Sequence, residues 1–239
     1  MAGMTFASYN TRGLNNPSKW GQILYHLHKK QIMVAMFQEM HFRGDSIPRC
    51  SQRYYNKWHH STHPTIKACG ESIAFHKHIS YALLASIAHP QGRYLFLKIQ
   101  YVGSILTIAN VYFPNQIQGR FGTLGRFAEG SDIVLGGDFN LVFDPARDIS
   151  TGSSFVSSAA ERQVRQGLIA LKLVYMWRIL HPGDRNFSHH SLAHNTYSHY
   201  RLYFHIPLAV RQWTTVLPWF FSVVRPSPGH RGNLRSPRS

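Results

Sequence analysis

Acidic residues are scarce in this chain. Ten Asp and Glu stand against 26 Lys and Arg, a net charge of +16 over 239 residues. Such a field disfavours cationic partners and favours a polyanion, DNA or RNA being the usual ones, although a merely adhesive basic protein would show the same charge. Cysteine is rarer still. Cys50 and Cys69 are too few for a disulfide framework and form no C-x-x-C pair, so an intracellular, reducing setting is expected. Long hydrophobic runs are missing as well. The strongest one, Val216 to Val224, is broken by Pro218 and reaches about half of the ~20 residues of a membrane span, so no membrane partner is expected. The first thirty residues hold no continuous apolar segment, and no secretory leader is read there.

What is present suffices for one sizeable domain: 44% of the residues are hydrophobic and 15% charged. Met4 to Tyr9 reads as a buried strand ending at Asn10. Pro17 opens a helical pattern in which Trp20, Ile23, Leu24 and Leu27 share one face. Ile32 to Phe37 is a second buried strand, followed by Gln38 and Glu39. The middle is strand-rich: Glu71 to His76, Tyr94 to Tyr101 and Ser104 to Phe113, the last two joined near Gly103 as a hairpin. Ile133 to Leu135 is another strand, and a helix is expected from about Ser158 to Val174, with Val164, Leu168 and Leu171 on one face and Glu161 in its first turn. After Pro207 come five arginines, four prolines and no acid, and residues 207–239 read as a basic, disordered tail outside the domain of residues 1–206.

Four local patterns carry chemistry. They are Asn10-Thr11-Arg12-Gly13-Leu14-Asn15, Phe37-Gln38-Glu39-Met40-His41, Asn110-Val111-Tyr112-Phe113-Pro114-Asn115 and Gly136-Gly137-Asp138-Phe139-Asn140. Each puts a polar residue at the end of an apolar strand, where α/β sheets collect their chemistry. Singly, each could be a turn or a cap. As an ordered set they are specific, and the set resembles the endonuclease/exonuclease/phosphatase superfamily. The likeness is greatest to the endonuclease domain that opens the polyprotein of LINE-type retrotransposons, and it continues through Phe143-Asp144-Pro145 and Trp177-Arg178-Ile179-Leu180-His181-Pro182.

This resemblance implies a four-layered α/β sandwich, two mixed β-sheets face to face and flanked by helices, that hydrolyses DNA phosphodiesters as a monomer in the nucleus. Such chemistry needs a Lewis acid, an activated water and support for the leaving oxyanion. Carried over residue by residue, Glu39 is the metal carboxylate with Asn10 beside it, the ion being Mg²⁺ or Mn²⁺. Asp138 activates the water, Asn140 holds Asp138 and meets a phosphate oxygen, and Tyr112 binds the phosphate. Arg12 and Asn115 are the expected DNA contacts. No small-molecule cofactor is implied.

The pattern breaks near the C-terminal end. The family there uses an Asp in a Ser-Arg-Ile-Asp-Tyr strand and an Asp-His pair. Here the first region reads Tyr197-Ser198-His199-Tyr200-Arg201-Leu202-Tyr203-Phe204, and the second has no counterpart. Asp184 is the last acid of the chain, so no later carboxylate exists in any register. A decayed element copy with an impaired or silent site is the expectation, and the C-terminal part of the sandwich is expected to be incomplete. Two other readings stand beside it: a non-catalytic nucleic-acid-binding remnant, and a phosphatase of the same superfamily. The histidine groups His59, His60, His63 and His189, His190, His194 invite zinc, but they lack a closing pair and lie in loop-like sequence.

Overall fold

The computed structural model describes residues 4–14, 16–43, 53–113, 120–141, 159–175, 179, 182–183, 189–191, 196–198 and 204–205. Strand β1 (Phe6–Asn10) leads to helix α1 (Pro17–Lys29) and strand β2 (Val34–Gln38). Asn16 caps α1 by accepting from the amides of Ser18 and Lys19, and Pro17 occupies the first turn where its missing N–H costs nothing. The buried face of α1 is Trp20, Ile23, Leu24 and Leu27, as the spacing predicts.

One sheet has the order β1-β2-β4-β3, with β3 at Tyr55–Ser61 and β4 at Glu71–His76. The β1–β2 pair is parallel and aligns Phe6 with Val34 and Asn10 with Gln38. The second sheet contains β5 (Ala82–Ala88), β6 (Tyr94–Tyr101), β7 (Ser104–Tyr112), β8 (Asp132–Asp138), β9 (Val174–Tyr175) and β12 (Phe204–His205), in the order β5-β6-β7-β8-β12-β9. Its β7–β8 pair is parallel and aligns Tyr112 with Asp138. Two more helices, α2 (Arg120–Phe127) and α3 (Ala159–Ala170), and a short hairpin of β10 (His189–Ser191) and β11 (Thr196–Ser198) complete the described elements. None of the described helices is long and apolar enough to cross a membrane.

Three apolar layers hold these elements together. Val34 and Met36 of β2 meet Ile73 and Phe75 of β4, and pack against Leu97, Ile99, Leu106, Ile108 and Val134 of the second sheet. The alternate residues Ala35 and Phe37 face the other way, onto Trp20, Leu24 and Leu27 of α1. Phe96, Ala109, Val111 and Leu135 cover Leu124, Val164 and Leu168 of α2 and α3. Both faces of β2 are therefore buried, which is why it reads as one unbroken apolar run. The result is helix, sheet, sheet, helix: the four-layered α/β sandwich expected from the sequence.

Several boundaries differ from expectation. The last strand before the Asp138 motif is longer than Ile133 to Leu135 and includes Gly136, Gly137 and Asp138 themselves. Helix α3 ends at Ala170, not Val174. Lys172 takes φ +53°, the Leu173 amide bonds the Leu168 carbonyl, and this left-handed cap turns the chain into β9. Within the 197–204 segment, β12 begins at Phe204 and pairs with both β8 and β9. The expected basic tail, residues 207–239, lies outside the described residues.

Gly136 and Gly137 let the two sheets and their strands close on one another. A Cβ on Gly136 would overlap the side chain of Met36, and one on Gly137, which holds φ +145°, would overlap the Val111 carbonyl on the neighbouring strand. Gly137→Ala is therefore expected to destabilise the fold by more than about 1 kcal/mol, since both the conformation and the space refuse a side chain. Urea unfolding at neutral pH measures this; an unchanged midpoint would show that β8 is not packed as described.

Candidate active site

The two parallel pairs end at the same edge of the sandwich. Asn10 and Gln38 close one sheet there, Tyr112 and Asp138 the other. Below them, a buried polar layer joins the sheets. The Gln38 Nε2 donates to Asn110 Oδ1 at 2.7 Å, and Asn110 Nδ2 donates to the carbonyls of Phe37 (2.8 Å) and Ser72 (3.1 Å).

Above this layer, the Asn10 amide stands between two carboxylates. Its Nδ2 donates to Glu39 Oε1 at 2.7 Å and to Asp138 Oδ2 at 2.7 Å. Asn10 and Asp138 meet across 128 positions of sequence. Burial pushes the Tyr112 phenol up, and the charge of Glu39, to which it donates a hydrogen bond, adds to that. Asn140 supports Asp138 through its backbone: its amide donates to Asp138 Oδ1 at 3.1 Å, while its side-chain Nδ2 is turned to the Phe113 carbonyl at 3.0 Å. Arg12 is exposed at the rim, with its amide on Asn10 Oδ1 at 3.0 Å. Asn115 lies outside the described residues.

The backbone around the site is unusual. Arg12, Glu39, His41, Cys69 and Asn140 all have φ between +46° and +58°, a region that costs a non-glycine residue about 1–3 kcal/mol. Flanking bonds hold them there. The Thr11, Gly13 and Leu14 amides donate to the carbonyls of Gln38, Glu39 and Met40, and the Met40 and His41 amides donate to Gly70 and Cys69. Lys19 closes the first loop from α1, with its Nζ on the Thr11 and Gly13 carbonyls. The ladder thus continues past the strand ends and fixes Glu39 in a strained turn.

Sequence reasoning missed three neighbours of this site. His41 approaches Glu39, with Nε2 3.6 Å from Oε2. Arg93 lays its guanidinium 5.7 Å over the Tyr112 ring. Glu71 is fully buried at the start of β4, and among the described residues neither carboxylate oxygen has a hydrogen-bond partner. Burial drives its carboxyl well above the usual carboxylate range; Asp138, Cys69 and Glu39 push the same way, and Arg93 opposes them. An acid opening an otherwise apolar strand is the one signal that could have revealed Glu71. Arg93 follows an ordinary glycine turn and gives none. The histidines have local partners: His59 meets the Tyr81 hydroxyl, His60 meets Ser72, and His63 accepts from the amides of Thr65 and Ile66.

No family model matches the sequence. Solved structures do match the fold. The AP endonuclease LMAP from Leishmania major superposes with a TM-score of 0.64 at 11% identity, covering 84% of this chain and 78% of that one. The APE2 catalytic domain of Xenopus laevis gives 0.63 at 14%, covering 87% and 83%. The 3'-5' exonuclease NExo of Neisseria meningitidis gives 0.61 at 20%, covering 85% and 87%. The chain shares the fold of these proteins. The edge where Asn10, Glu39, Tyr112 and Asp138 converge, the candidate cleft, is made from both sheets.

Glu71 offers a test of the local electrostatics. Its folded-state pKa is raised above the unfolded value, so folding loses stability as pH climbs from about 4.5 toward the raised value. Glu71→Gln removes that loss. The variant is expected to match the parent near pH 5 and to be the more stable of the two at pH 8, by urea midpoints. A variant less stable at both pH values would show that the carboxylate has a stabilising partner.

Proposed function

We propose that this chain is the DNA-nicking endonuclease domain of a LINE-type retrotransposon, reduced to a weak or silent catalyst by loss of the C-terminal half of its site. One observation carries the reading: the Asn10 amide bridges Glu39 and Asp138, drawn from the strand ends of two different sheets. A structural turn or cap needs no such convergence.

The donor set fits a hard cation. Glu39 and Asp138 offer carboxylate oxygens, and a magnesium ion that keeps its waters needs only one or two of them. Glu39 would hold it, with Asn10 beside it. Bound there, the ion supplies Lewis acidity to a phosphate oxygen.

The chain's own residues divide the remaining work. Asp138, held by the Asn10 side chain and the Asn140 amide, orients the attacking water and takes its proton. The Tyr112 phenol is kept protonated by burial, and on substrate binding its O–H turns from Glu39 to the phosphate. Arg12 at the rim holds the flanking backbone. What this set lacks is support from the other side. A second carboxylate and a histidine would come from beyond Asp184, where the chain has no acid. Losing one preorganised donor alone costs ~2.7–4 kcal/mol of transition-state stabilisation.

The expected result with supercoiled plasmid and Mg²⁺ is nicking near background, unchanged in Glu39→Ala, with DNA binding that falls steeply as salt rises. Magnesium-dependent nicking that Glu39→Ala abolishes would overturn the impaired reading and leave the site assignment standing. Release of phosphate from small phosphomonoesters, without nicking, would favour the phosphatase. The origin has its own test: a reverse-transcriptase reading frame in the same gene, downstream of Ser239.

A further inference from the structure

The end of the sandwich opposite the cleft carries a second concentration of charge. Helix α1 begins beside the cleft at Asn16 and runs 13 residues away from it, on the order of 20 Å at about 1.5 Å per residue. Its last turn meets the far ends of β3 and β4. The Ile32 amide donates to Leu27, the His76 amide to Met33, and the Lys77 amide to Tyr54.

Aromatic rings form a ladder over this junction. The His28 ring stacks on Tyr54 (centroids 4.1 Å, 15°) and on His76 (5.3 Å, 2°), with His28 Nδ1 3.1 Å from His76 Nε2. Tyr25 extends the row at one end and His78 at the other. Both of these end rings are exposed, Tyr25 by half. Cations flank the row: Lys29 sits 5.6 Å over Tyr25, Arg53 5.2 Å over Tyr54, and Lys30 and Lys77 are exposed beside them. Residues 17–38, 53–70 and 72–88, which supply these side chains, contain no acid.

Cations at a helix C-terminus are ordinary, because they complement its dipole. That accounts for Lys29 and Lys30. It does not account for Arg53, Lys77 and His78, which come from the sheet and are drawn to the same place. Cations interleaved with exposed ring faces are what a single strand of nucleic acid requires, phosphates on the charges and bases on the rings.

We propose that this pole, built from Tyr25, Lys29, Lys30, Arg53, Lys77 and His78, is a docking surface for single-stranded nucleic acid, separate from the cleft. The surface reads no sequence, because stacking and charge suit every base. It lets one molecule hold a strand at one end while duplex DNA occupies the other.

The test compares three forms of the full chain by fluorescence anisotropy with a labelled oligothymidylate of about 20 nucleotides, long enough to span one stacking site. The patch variant carries Lys29→Gln, Lys30→Gln and Lys77→Gln. A charge-matched control carries Arg126→Gln, Arg162→Gln and Lys172→Gln, exposed cations on or beside α2 and α3. The patch variant is expected to bind at least about tenfold more weakly, with its salt slope reduced by about 2, at ~0.7 per lost phosphate contact. The control is expected to stay close to the parent. Tyr25→Ala, which leaves the charge unchanged, is expected to weaken binding as well. Equal losses in patch variant and control would overturn the proposal, leaving net charge alone as the cause, and so would parent-like binding by the patch variant. Oligonucleotide binding is read without any nicking, so failure of the nuclease reading and failure of this one are told apart.

Discussion

The contact between Gln38 and Asn110 sets the separation of the two sheets, and the site depends on that separation. Both amides are completely buried, and each is committed to partners on the opposite sheet or on its own backbone. In a low-dielectric interior such bonds are strong when satisfied and costly when broken. The layer therefore tolerates little sliding of one sheet over the other. Asn10 stands one step above it, and only because the sheets are held at this spacing does one amide reach carboxylates on both.

Charge is distributed in opposition to this centre. The molecule carries an excess of cations, and its 10 acids are thinly spread along the sequence. Three of those acids, Glu39, Glu71 and Asp138, nevertheless lie within one another's field. Solvated surface carboxylates would have no reason to gather in so basic a protein. Burial and the neighbouring Asp138 and Glu39 favour the protonated form of Glu71, and the Arg93 guanidinium opposes that.

The interior strands were legible because burial on both faces leaves a plain apolar signature, as in Val34–Gln38 and Glu71–His76. Others were not. Strand β3 reads Tyr-Asn-Lys-Trp-His-His-Ser, is only partly buried and is bulged between Tyr55 and Lys57, so neither alternation nor a run marks it. Strand β5 is an edge strand exposed along nearly its whole length, and its alanine-rich sequence shows no period. Helix α2 holds two glycines, Gly122 and Gly125, and its tertiary packing overrides that weak propensity. The end of α3 turned on Lys172 accepting a left-handed conformation where glycine would be the usual signal.

The sequence by itself determined the charge, the order of the four polar motifs, the amphipathic face of α1 and the absence of any carboxylate after Asp184. These are properties of composition and local period, and no folding changes them. Tertiary structure alone decided that Asn10 spans Glu39 and Asp138, that Arg93 lies over Tyr112, and that Glu71 is fully buried. It also decided that His28, Tyr54 and His76 stack far from the cleft. Each of these depends on the register between strands and the spacing between sheets. A shift of one residue would turn every such side chain to the opposite face, and a local stretch of sequence does not specify that register.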